Sequence, residues 1–268
     1  MWVDAKINDQ PTRLFLDTGS ENFCLYRPAA ERLGLKFRPV EGPRPYWATG
    51  KCTVKFWGFS QKERVAVFEV PSYLQPEGDG LVGWRNIHQN IIVFDAIQQK
   101  VEFIPKVPKE AATWTKLALR TKLPPGYTLL ALEVPNSDGS KGVIFVDTGA
   151  ESGVGLPPKK WREWKAAHPN QPTTLTAGYT PSAGLLVREQ AWATELSLGP
   201  LELANVIVEE DSGIGALVKA EPTATWGMAA LKRLDFIVDG RRGIAYLRAK
   251  RTPPTSGLPT SPPAVRLA

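Results

Sequence analysis

Val3, Ala5 and Ile7 fall on one side of an extended chain and Asp4 and Lys6 on the other, the period-two alternation of a strand with one buried face. Asn8-Asp9 then turns the chain into a second apolar run ending Leu14-Phe15-Leu16-Asp17, so the opening predicts a hairpin. Thr128 to Val134, the turn Asn136-Ser137-Asp138-Gly139 and the run Ile144-Phe145-Val146-Asp147 predict another of the same kind. Thr194 to Gly199 followed by Leu201 to Val208 predicts a further hairpin. Helical signals are few. Pro28 to Leu35 has proline near its start and Gly34 near its end, Pro158 to Ala167 puts Trp161 and Trp164 on one face, and Met228 to Leu234 follows Gly227. Tryptophans at helical spacing ordinarily pack a core, so Trp161 and Trp164 read as structural.

The pattern repeats over a long distance. Leu14-Phe15-Leu16-Asp17-Thr18-Gly19-Ser20 returns 130 residues later as Ile144-Phe145-Val146-Asp147-Thr148-Gly149-Ala150. Leu81-Val82-Gly83 is followed, 12 residues after its glycine, by Asp95, and Trp226-Gly227 at the same interval by Asp239. Each of these aspartates opens a turn into another strand, Lys100 to Ile104 and Gly243 to Arg248, so Asp95 and Asp239 read as turn residues. A lone Asp-Thr-Gly ordinarily marks a turn, whereas two inside a repeat that shares three landmarks point to a matched pair of sites. The interval from the motif aspartate to the later glycine differs, 66 residues in the first copy and 80 in the second.

The repeat divides the chain into a first half at 1–106, a linker at 107–126 in which Trp114 to Arg120 is a possible extra strand, a second half at 127–250, and a Pro/Ser/Thr-rich tail at 251–268, expected to be flexible. A length of 268 residues suits two such units, and 43% hydrophobic residues broken by 23 Gly and 24 Pro fit a soluble β-rich protein. No run of about 18 apolar residues occurs, so no membrane span is expected. The net charge of +6 raises the question of nucleic acid. The basic residues are scattered, however, over Lys159, Lys160, Arg162 and Lys165, over Arg241 and Arg242, and over Arg248, Lys250 and Arg251. With no aromatic-basic motif beside them they read as a solvated surface, and no nucleic-acid partner is expected.

His88, His168, Cys24 and Cys52 show neither zinc-ligand spacing nor a Cys-His nucleophile arrangement. No glycine-rich phosphate loop is present, so no metal and no cofactor is expected. Whether Cys24 and Cys52 are bridged is left open by two cysteines alone. Met1-Trp2-Val3-Asp4 carries no secretory leader in the sequence as given. Because the chain opens at a strand, a preceding segment is not excluded, and the compartment stays open, export included.

At its two Asp-Thr-Gly strands, at Leu25 with the short segment Glu31-Arg32-Leu33-Gly34-Leu35, and at Leu81-Val82-Gly83 and Trp226-Gly227, the sequence resembles the retropepsin-like aspartic peptidases, notably bacterial aspartyl proteases. The resemblance implies a mostly β fold of tandem pseudo-twofold, retropepsin/pepsin-like acid-protease barrel halves with a few short helices. It further implies a monomeric single-chain pseudodimer with Asp17 and Asp147 as a catalytic pair acting on a peptide or protein substrate. Two carboxyls about 3 Å apart cannot both ionise cheaply and share one proton, so the pair offers a base and an acid together, which peptide hydrolysis requires. Thr18, Gly19 and Ser20, with Thr148, Gly149 and Ala150, are then the residues supporting the pair. The glycines allow close backbone approach, and by the resemblance Thr18 and Thr148 bond across the interface. Ser20 has a hydroxyl to offer Asp17 where Ala150 has none for Asp147, so Asp17 is expected to be the more readily ionised. Candidate flap tips are Tyr46 to Lys51, with Tyr46, Trp47 and Gly50, and Ala177 to Gly184, with Gly178 and Tyr179. Two other readings of the fold stay open, a catalytically inactive peptide-binding module and an assembly protein whose paired sheets mediate association.

Overall fold

The computed structural model describes residues 1–41, 46–70, 77–120, 123, 126–136, 139–180, 184–211 and 223–250. The tail at 251–268 and the turn residues Ser137 and Asp138 lie outside them. The alternating opening forms β1 (Trp2–Ile7) and β2 (Gln10–Asp17), paired from Trp2 with Phe15 to Ile7 with Gln10. Asn8 and Asp9 both take positive φ, at 48° and 66°, the backbone of a two-residue turn whose twist suits a hairpin. The chain continues through β3 (Cys24–Tyr26), α1 (Arg27–Arg32), β4 (Phe37–Val40), β5 (Tyr46–Phe56), β6 (Phe59–Phe68) and β7 (Gly80–Gly83). These strands form one sheet in the order β1-β2-β7-β3-β6-β5-β4, and a β1–β5 pairing closes it into a barrel.

The second half repeats this layout with β11 (Ala131–Pro135), β12 (Lys141–Val146), β13 (Val154–Leu156), α2 (Pro158–Ala167), β14 (Thr173–Thr180), β15 (Gly184–Leu198), β16 (Leu201–Glu210), β17 (Ala224–Trp226) and α3 (Met228–Leu231). Its sheet order is β11-β12-β17-β13-β16-β15-β14, the same sequence of strands as in the first half. Among the described residues there is no counterpart of the closing β1–β5 pair. The unequal spacing seen in the sequence has its origin here. The second copy has a 10-residue helix where the first has 6, and an outer hairpin of 8 and 15 residues where the first has 4 and 11.

A third sheet joins the halves, in the order β10-β19-β18-β8-β9, built from β8 (Ile91–Asp95), β9 (Lys100–Ile104), β10 (Thr115–Ala118), β18 (Leu234–Asp239) and β19 (Ile244–Ala249). The possible strand in the linker is thus β10, paired with β19. β8 of the first half runs antiparallel to β18 of the second, with Val93 opposite Ile237 and Phe94 opposite Phe236. The rings of Phe94 and Phe236 stack at 5.1 Å. One continuous core crosses this seam, from Leu16, Leu25 and Val82 to Val146, Trp226 and Phe236. Asp95 accepts the N–H groups of Ile97 and Gln98 at 3.1 and 2.9 Å, and Asp239 that of Arg242 at 3.2 Å, the turn roles read from the sequence. Trp161 is buried and stacks on Trp164 at 5.5 Å. Cys24 and Cys52 are free thiols, both buried.

Candidate functional site

Asp17 ends β2 and Asp147 follows β12, at matching places in the two halves. β2 lies parallel to β7, with Asp17 beside Gly83, and β12 parallel to β17, with the Asp147 N–H donating to Trp226 O at 2.8 Å. Gly83 and Gly227 are needed because the returning loops lie directly on them. A Cβ on Gly83 would sit 2.3 Å from the Glu21 carbonyl carbon, and one on Gly227 would sit 2.4 Å from Ser152 O. The next residues lock the same loops, Trp84 N–H donating to Ser20 O at 2.9 Å and Met228 N–H to Ala150 O at 2.8 Å.

The two loops are held to each other by a reciprocal pair of threonines. Thr18 N–H donates to Thr148 Oγ1 at 3.1 Å and Thr148 N–H to Thr18 Oγ1 at 3.0 Å. Each hydroxyl then donates onward into the opposite half, Thr18 to Val146 O at 2.6 Å and Thr148 to Leu16 O at 2.8 Å. Both threonines are fully buried, so these four bonds have no competition from water.

Above this grid the carboxyls of Asp17 and Asp147 lie against each other, each acting on the ionisation of the other. Gly19 N–H donates to Asp17 Oδ1 at 2.9 Å and Gly149 N–H to Asp147 Oδ1 at 2.8 Å. Each glycine also makes room for the opposite acid: a Cβ on Gly19 would lie 2.5 Å from Asp147 Cγ, and one on Gly149 2.7 Å from Asp17 Cγ. Both aspartates keep some solvent exposure, so the pair is reachable although the surrounding protein strips most water from the carboxyls. That desolvation raises both carboxyls above the ordinary aspartate range, and the neighbouring charge of Asp147 carries Asp17 well above it. The pair therefore tends to hold one proton between its two carboxyls. The Ser20 hydroxyl, expected to serve Asp17, is turned toward Cys24 Sγ at 3.9 Å, and it is the backbone N–H of Ser20 that lowers Asp17.

The flap residues divide. Gly178 and Tyr179 lie near the end of β14, opposite Leu186 and Leu185 of β15, on a hairpin that projects the exposed side chains Leu175, Leu185 and Val187. Tyr46, Trp47 and Gly50 do not form a hairpin tip. They belong to β5, with Trp47 paired to both Pro39 and Val67. Gly50 instead lies where the β5–β6 register slips between Ala48 and Lys51, the bulge position that tolerates glycine. Residues 42–45 and 181–183 lie outside the described residues. Two cavities of about 700 and 610 Å³ open elsewhere on the surface, and neither includes Asp17 or Asp147.

A cluster that sequence reasoning missed adjoins the second loop. Glu209 and Asp211 are buried, Arg188 contacts Glu209 at 3.1 Å and Asp211 at 3.7 Å, and Glu209 shares a hydrogen bond with Ser152. The run Glu209-Glu210-Asp211 reads as solvated charge, and the period of β16 does not hint otherwise, since alternation from Val206 and Val208 would turn Glu210 inward rather than Glu209.

Among the described residues no helix is long and apolar enough to cross a membrane. Residues 3–55 match the family model described as aspartyl protease. No curated protein matches the chain. The matched stretch contains the first hairpin, Asp17-Thr18-Gly19 and β3, and the mostly β fold is consistent with a retropepsin-like family.

Proposed function

We propose that this retropepsin-like chain is an aspartic endopeptidase in which Asp17 and Asp147 activate one water molecule against a peptide carbonyl. The observation that carries the reading is the pair itself: two carboxyls in mutual contact, mirrored by the reciprocal threonine bonds beneath them. Asp147, ionised, takes a proton from the water as it attacks the carbonyl carbon. Asp17, protonated, gives its proton to the carbonyl oxygen, so the pair remains singly protonated as the tetrahedral diol forms. Collapse of the diol breaks the C–N bond as the proton gained by Asp147 passes to the departing amine and one diol O–H returns its proton to Asp17. The glycine N–H groups hold each carboxyl in position, so little reorganisation accompanies the proton transfers. An extended peptide fits this arrangement as an added strand beneath the β14–β15 hairpin, and the exposed Leu175, Leu185 and Val187 supply apolar surface for its side chains.

Cleavage of a diverse peptide library from acid to neutral pH, comparing wild type with Asp17→Asn and Asp147→Asn, tests the proposal. Turnover in wild type and its loss in both variants is the expected result. A folded wild type that binds peptides without cleaving them would instead make the chain a peptide-binding module.

A further inference from the structure

The two halves differ most sharply just behind Asp147. Cys24 lies seven residues after Asp17 and Val154 seven after Asp147, so the pairings of β3 with β6 and of β13 with β16 can be matched position by position. Where the first half sets Leu25 against Val67, both at 0% exposure, the second sets Gly155 against Glu209 at 3%. The volume vacated at Gly155 is taken by Asp211: a Cβ there would lie 2.6 Å from Asp211 Cβ and 2.9 Å from its Oδ2. Asp211 is fixed by its own N–H, which donates to Leu156 O at 2.8 Å. The position equivalent to Asp211 in the first half is Glu69, whose side chain is 51% exposed and paired with Arg27.

Two buried acids thus share the guanidinium of Arg188 on β15. Charge held in so buried a cluster is felt through the low-polarity surroundings rather than screened. The cluster reaches the Asp147 loop by two routes. Ser152, bonded to Glu209, ends that loop, and Gly155 pairs with Thr225, which pairs in turn with Phe145 two residues before Asp147. The charged groups around Asp147 are thus Asp17 across the pair and Asp211 behind it, which act on it directly, with Glu151 in its own loop and Glu209 and Arg188 in the cluster around Asp211.

We propose that Asp211, balanced by Arg188, is a positioning residue that sets the pH range over which Asp147 carries the charge of the pair. This deepens the peptidase reading and rests on it for its catalytic meaning. The Asp211 charge is among the causes that raise Asp147, and burial followed by the charges of Arg188 and Asp211 acts on Glu209, which is raised on balance.

The test is titration of the Asp147 side chain by carboxyl-carbon NMR in the unliganded protein. Asp211→Asn removes a negative neighbour, so the Asp147 transition moves to lower pH by on the order of one unit, the scale of a unit charge about 10 Å away at an effective dielectric of about 20. Arg188→Gln removes the balancing cation and moves it the opposite way. The double variant returns toward wild type. A merely structural role predicts no ordered shift, so folded variants whose titrations coincide with wild type, or move in one common direction, overturn the proposal. Because this readout needs no turnover, it separates the two ideas. Opposite shifts in a protein that cleaves nothing would sink the peptidase reading alone, whereas cleavage with an unmoved Asp147 titration and an unmoved kcat/KM pH profile would sink this one alone.

Discussion

Replacing Thr148 by valine probes the joint on which the site stands. The substitution keeps the shape and removes a hydroxyl that accepts from Thr18 N–H at 3.1 Å and donates to Leu16 O at 2.8 Å. Thr148 and Thr18 are at 0% exposure, so the Thr18 N–H cannot turn to water, and an orphaned buried donor costs about 1–3 kcal/mol. Loss of the donor to Leu16 O adds about 1 kcal/mol, while the methyl that replaces the hydroxyl returns less than about 1 kcal/mol. The net loss is about 1–3 kcal/mol, which for a chain of this size lowers Tm by about 2–12 °C. Thr148→Ser keeps both bonds, loses one methyl, and should cost under about 1 kcal/mol. Urea unfolding of the three proteins with a common slope reads the difference. Thr148→Val unfolding within about 0.5 kcal/mol of Thr148→Ser would refute the claim that these hydroxyls hold the halves in register.

Three further outcomes follow from the geometry. Both aspartates are raised in the folded chain, so the native state binds protons more tightly than the unfolded one, and stability falls as pH rises from the unfolded aspartate value through the raised folded one. Asp17→Asn should therefore unfold at higher urea than wild type at pH 7 and lose that advantage near pH 3, as paired denaturation curves would reveal. Gly19→Ala places a methyl 2.5 Å from Asp147 Cγ. The displaced carboxyl should lower kcat by about a hundredfold or more, and near-normal kcat would contradict the close approach. Burial pushes the Cys24 thiol up to about 12, so in a thiol-reagent assay at pH 8 it should react only after denaturant is added, whereas rapid labelling of native protein would exclude that environment.

Local chemistry made much of this legible. Asn8-Asp9 announces its turn because few residue pairs accept two positive φ angles. Gly83 and Gly227 stand out because backbone rests on them. Pairings between residues far apart in sequence were not visible. Nothing in Ala5 to Ile7 says that they also pair with Val54 to Phe56 and close the first barrel, and Gly50, which looks like a turn residue, lies at a bulge inside β5. Ser20 misled for a similar reason: its nearest acid in sequence is Asp17, but the fold offers its hydroxyl Cys24. The acidic run at Glu209 to Asp211 gave no sign that two of its carboxylates are interior, since burial depends on Gly155 and Arg188 brought in from other strands.

The pairing of Val93 with Ile237 joins residues at the same place in each half, two before Asp95 and two before Asp239. Thr18 and Thr148 are self-matched in the same way. Two such contacts mark out a line at which equivalent residues of the two halves face each other, so a substitution at any of these four positions alters both sides of the junction at one place.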